Sequence, residues 1–153
     1  MQMWIANSFV IGATTVLFLL WFRYMCSLLL AAQTSLDSSE AVARANSLAF
    51  AEVLRELNGE EAVAEDRLAA LTVALDRDFE VVTYLLRHMG ESPIVDSPTE
   101  AWMLKVDYKL QRFWFQHLLT VSPAMARHQV SQMALIICHF ADLIGERRVP
   151  ARI

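Results

Sequence analysis

The chain has 153 residues, a formal net charge of −4 and a hydrophobic fraction of 56%, against the roughly 45–50% usual for soluble domains. That length suits one domain of ordinary size, and four Gly with four Pro are too few for a turn-rich β protein. The acidic balance argues against nucleic acid as a partner. Cys26 and Cys138 form no CxxC pattern, so neither a zinc knuckle nor a disulfide scaffold is indicated.

The charge is unevenly spread. Residues 37–100 carry fourteen acids and five bases, whereas residues 101–153 carry three acids and seven bases. The simpler reading is helices that attract one another or present different solvated faces. The alternative is a basic half that meets anionic lipid or an acidic partner.

The first element is a stretch without formal charge from Met3 to Phe22, MWIANSFVIGATTVLFLLWF. Twenty helical residues span about 30 Å, the thickness of a bilayer's hydrocarbon core. Asn7, Ser8, Thr14 and Thr15 are small enough to bond to backbone or to a neighbouring helix. Trp4 stands at one end, and Trp21 and Tyr24 at the other, where interfacial aromatic belts form. Arg23 is placed to snorkel toward headgroups. The apolar run resumes as MCSLLLAAQ, so the helix is expected to continue as a stalk, lie against lipid or pack on a partner.

A cleaved signal peptide is the main rival, but no basic region precedes the apolar core and Leu30-Ala31-Ala32 is a poor cleavage site. A buried soluble helix is the second rival, and a domain this small has difficulty enclosing a helix apolar on all sides. With Arg23 directly after the span, the positive-inside rule places the N-terminus outside and the rest in the cytoplasm.

Four further helices are predicted. The first covers about Asp37 to Leu57, with Asp37 and Glu40 at capping-box spacing and Asn58-Gly59 ending it. Its apolar face is Val42, Ala45, Ala49 and Val53, with Phe50, Leu54 and Leu57 beside it. The second covers about Glu60 to Met89, where Leu68, Leu71, Leu75, Phe79, Val82, Leu86 and Met89 recur at helical spacing. Its acids cluster at the start and Arg87 and His88 at the end, which suits the helix dipole.

After the linker ESPIVDS, Ser97-Pro98-Thr99-Glu100 combines a capping box with proline in the first turn. The third helix then runs to about Leu119. Its expected inner face is Trp102, Val106, Leu110, Phe113 and His117, widened by Met103, Trp114 and Leu118. Ser122-Pro123 starts the fourth helix, which is expected to stop at Gly145. Its run MALIICHFADLI is too short for a second span and reads as a buried core helix or one pressed on a partner.

Catalytic motifs do not stand out. Neither Glu-x-x-His nor His-Glu-x-x-His occurs, which argues against a carboxylate-bridged di-iron bundle. No G-x-S-x-G elbow and no glycine-rich phosphate loop is present. His117 and His128, near the turn between the last two helices, are the pair that offers itself as metal or haem ligands. Unrelated histidines at helix ends and core edges are the simpler account. Asp76 and Glu80 share a face with Arg77 and Asp78 nearby, and a solvated charged face accounts for all four. Trp102, Tyr108, Trp114 and Phe115 are too many large aromatics for one small core, so they are the candidates for a protein interface.

The sequence thus predicts an all-α protein: a single N-terminal transmembrane helix followed by an antiparallel four-helix bundle-like domain. Residues 1–34 form the span and stalk, 35–146 the helical domain and 147–153 a basic tail. The expected function is a non-catalytic accessory or structural subunit of a membrane protein complex, with the lipid bilayer and other membrane subunits as partners and no cofactor. Two alternatives are a membrane-tethered adaptor for a soluble protein and a haem- or metal-binding membrane protein.

Overall fold

A computed structural model describes residues 2–32, 36–59, 62–89 and 98–148. All the described elements are helices: α1 (Gln2–Ala32), α2 (Leu36–Asn46), α3 (Phe50–Leu57), α4 (Glu65–His88), α5 (Pro98–Val121) and α6 (Pro123–Arg148). The chain divides into two compact units, Met1–Ala32 and Gln33–Ile153.

The first unit is one uninterrupted helix. Its stretch from Trp4 to Ala31 has a mean hydropathy of 1.9 over its most apolar window, and it is the one helix among the described residues long and apolar enough to cross a membrane. Ile5, Phe9, Val10, Ile11, Val16, Leu17, Phe18 and Leu20 are exposed around its circumference, which is consistent with membrane association. Within it, the Thr14 and Thr15 hydroxyls donate to the Val10 and Ile11 carbonyls at 2.8 Å. Both polar groups are thereby satisfied inside the helix, as an apolar environment requires.

The second unit is organised around α6, on which α2, α3, α4 and α5 all pack. From Val130 to Gly145, α6 is buried at all but a few half-buried positions. Met133, Ala134, Ile136, Ile137, Phe140 and Ile144 are all fully enclosed. Burying a side chain of the larger apolar kinds contributes about 1.5–3 kcal/mol, so this helix is the centre of the unit's stability. The arrangement corrects the expected up-down four-helix bundle: α6 is a central helix with others laid around it, whereas a bundle shares one core among four equal members.

The expected first helix of the domain is two helices. Asn46 and Ser47 end α2, and Ser47 takes a left-handed conformation with φ of 53°. The Leu48 amide then donates to the Ala43 carbonyl at 2.9 Å, the six-to-one bond of a Schellman stop. Glycine normally marks such a stop, so the sequence gives no sign of it. Asp37, expected as the capping residue, lies inside α2. Ala43 and Leu48 are buried while Ala45 is exposed, because the break re-aims the face.

Elsewhere the boundaries follow local chemistry. The first turn of α4 holds Glu65 and Asp66 and its last turn Arg87 and His88. Leu68, Leu71, Leu75 and Val82 form its buried stripe. Ser122 alone separates α5 from α6, and its carbonyl accepts from the Ala126 amide at 3.0 Å. Pro123 follows as the first helical residue, where its missing N–H costs nothing. Gly145 does not stop α6, which runs on to Arg148. Gly90, the linker 91–97 with its capping Ser97, and the tail from 149 lie outside the described residues.

Candidate functional site

Of the four side chains of α4 that read as a solvated charged face, Arg77 and Glu80 are exposed, while Asp76 and Asp78 are structural ties. Asp78 is buried and accepts from the Ala49 and Phe50 amides at 2.6 and 2.8 Å. It caps α3 from a different helix, satisfying two amides that the helix start leaves without partners. Burial pushes its carboxyl above the ordinary value, against the two amides that favour the charged form.

Asp76 reaches across to α5. It accepts from the Tyr108 hydroxyl at 3.0 Å and from Arg112 Nε at 2.8 Å. The Tyr108 ring stacks on Phe79 with centroids 3.9 Å apart and planes 3° from parallel. Burial, together with the neighbouring Asp76 carboxylate, drives the phenol's ionisation well above its ordinary range. The tyrosine therefore stays a neutral donor. An open groove beside this cluster is lined by Glu80, Thr83, Tyr84 and Arg87 of α4 and Lys109 of α5.

Two further ties use cations. Arg67 of α4 makes a two-point contact with Glu56 of α3 at 2.7 and 2.9 Å. Arg127 of α6 donates to the carbonyls of Leu57 and Gly59, placing a positive charge at the C-terminal end of α3, where the dipole favours it. Cys138 is buried, with its thiol donating to Ser39 Oγ at 3.4 Å.

The largest departure from expectation concerns α5. Its expected inner face is its outer one: Trp102 is 60% exposed and Phe113 61%, with Val106 and His117 also exposed. The face turned inward is Leu104, Asp107, Tyr108, Gln111 and Phe115. Asp107 and Gln111, one turn apart, bond to each other at 2.6 Å. Of the four aromatic interface candidates, the structure separates two from two. Tyr108 and Phe115, each 2% exposed, belong to the core, Phe115 with the Arg112 guanidinium 5.9 Å from its ring centroid. Trp102 and Trp114, the latter 45% exposed, stand on the surface. Helix periodicity selected the face richest in apolar residues, and nothing local marks Asp107 and Gln111 as facing inward.

The outer face of α5 is thus an aromatic stripe. Trp102, Val106, Leu110, Phe113, His117 and Val121 follow one another at spacings of three and four. Trp114 widens the row, its ring edge-on to Phe113 at 5.7 Å, and His117 lies edge-on to Phe113 at 5.4 Å. Met125, just past the turn, adds another exposed apolar side chain.

His117 and His128 are both exposed. Among the described residues, no three His, Cys, Asp or Glu side chains gather closely enough to hold a metal ion. His88 sits on Tyr84, its Nδ1 2.9 Å from the Tyr84 carbonyl. In the first unit, Trp4, Trp21 and Tyr24 are exposed at the ends of the apolar stretch and Arg23 is half-buried. Comparison with protein-family models, curated proteins and solved structures gave no match.

Proposed function

We propose that this chain is a non-catalytic accessory subunit of a membrane protein complex. Residues 1–34 anchor it, with the N-terminus outside, and the helical domain braces the cytoplasmic side. Trp4 marks one membrane boundary, and Trp21, Arg23 and Tyr24 mark the other. The observation that carries this reading is the contrast in how the two units use their side chains. The first is an apolar helix of membrane length, exposed from Trp4 to Leu20 at every position but half-buried Leu19. The second spends Asp76, Asp78, Arg67 and Arg127 on tying helices together.

The neighbouring subunit packs against α1 in this reading. A side-chain carbon added at Gly12 would meet nothing within 4 Å, so this face has room for close helix approach, which is what drives association in lipid. The test is extraction in a mild detergent after light cross-linking, followed by mass spectrometry of the purified material. A second chain at fixed stoichiometry is expected. A monodisperse monomer with no cross-linked partner overturns the proposal. Protease protection in sealed vesicles tests the orientation, with the helical domain expected to be cut only when the cytoplasmic face is open.

A further inference from the structure

We propose that the outer face of α5 is a lipid-binding surface, lying along the headgroup boundary of an anionic leaflet of the membrane that α1 crosses. The inference rests on the anchoring role of α1 and adds a second, peripheral contact made by the helical unit itself.

The outward face of α5 is unusual for a helix facing water. Trp102, Phe113 and Trp114 are exposed on it, while Asp107 and Gln111 are buried with Leu104, Tyr108 and Phe115. From Trp102 to Val121 the stripe extends about 28 Å along the helix. A water-facing stripe of that length would leave several large apolar side chains hydrated without compensation. Tryptophan and phenylalanine backed by lysine are the residue types that hold a helix in the plane of a membrane interface.

Charge selects lipid over protein as the occupant. Lys105 and Lys109 are one turn apart along one edge of the stripe, and Lys109 is exposed. Lysine is depleted at protein interfaces but favoured beside anionic headgroups. Past its first turn, α5 has a single carboxylate, Asp107, and that is turned inward.

The experiment uses the full chain in proteoliposomes of phosphatidylcholine and phosphatidylserine containing brominated lipid. The variant Trp4→Phe/Trp21→Phe reports from Trp102 and Trp114. The variant Trp102→Phe/Trp114→Phe reports from Trp4 and Trp21. Quenching of both by brominated lipid is expected. Adding Lys105→Glu and Lys109→Glu to the first variant should reduce its quenching at least about threefold, with the helical circular dichroism unchanged.

Quenching of Trp4 and Trp21 without quenching of Trp102 and Trp114 overturns this inference and leaves the anchor standing. That holds whether the α5 emission is open to iodide, meaning solvent, or shielded from it, meaning a protein or a second copy. Absence of quenching in both variants overturns the anchor as well. Quenching of Trp102 and Trp114 that is indifferent to the lysine substitutions overturns the anionic leaflet as the occupant.

Discussion

Helices α1 and α6 are both long and both lack a single apolar stripe, yet their surroundings are opposite. From Trp4 to Leu20, α1 exposes nearly every side chain. From Val130 to Gly145, α6 exposes none. The first has no formal charge from Met3 to Phe22, whereas the second carries His139 and Asp142 within its apolar run. An apolar helix needs a non-aqueous medium all round it, and this chain contains both solutions. Four neighbouring helices supply that medium for α6, and the length and composition of α1 match a bilayer.

The sharpest way to break the comparison is to place one charge in each helix. Ile137→Asp puts a carboxylate into the enclosed centre of the second unit and should cost more than about 4 kcal/mol. Loss of the cooperative thermal transition by circular dichroism is the expected result. Leu17→Asp in α1 should leave that transition within about 0.5 kcal/mol of the parent. Its effect should instead appear as a loss of about 3 kcal/mol in membrane insertion, read by carbonate extraction. Equal effects of the two substitutions on the transition would remove the distinction.

The next largest effect tests the rotation of α5. Phe115→Ala should cost about 3–5 kcal/mol in denaturant unfolding. Phe113→Ala, two residues away on the exposed face, should stay within about 0.5 kcal/mol. The reverse order would restore the face that periodicity alone selects.

A smaller effect is expected at Asp78. Asp78→Ala strips two amides of their acceptor and should cost about 1–3 kcal/mol. The pH dependence has a definite sign. Because the folded carboxyl titrates above its ordinary 3.8, its contribution is complete below that value and is lost as pH rises through the folded pKa. The stability of the parent relative to Asp78→Asn should therefore fall as pH climbs from below 3.8 toward neutrality, as measured by urea midpoints. The smallest effect is a gain. Ser47→Gly relieves the left-handed backbone at the end of α2 and should stabilise the unit by about 0.5 kcal/mol, visible as a small rise in melting temperature.

Much of the fold was legible because its signals are local. The proline starts at Pro98 and Pro123, the acid-first and base-last polarity of α4 and the stripe Leu68, Leu71, Leu75 and Val82 all depend on residues within a turn or two of one another. The candidate surface was only half legible. Trp102 and Trp114 were found by residue type, and they are exposed. Tyr108 and Phe115 were grouped with them and are core residues, and the partners of Tyr108, Asp76 and Phe79, lie more than twenty-five positions away. The break at Ser47 had no signal, since neither glycine nor proline marks it and the cap that starts α3 comes from Asp78 on another helix.

The sequence by itself determined that this protein is helical, where most of its helices begin, and that one of them has the length and composition to cross a bilayer. Those properties follow from propensity, capping and hydropathy, each read from near neighbours along the chain. Tertiary structure alone decided that α6 is the central helix, that α5 turns the row of Trp102 and Phe113 outward, and that Arg67, Asp76 and Asp78 of α4 serve as ties. Burial depends on which surfaces meet, and on α5 the face that its neighbours cover carries Asp107 and Gln111 beside Tyr108 and Phe115.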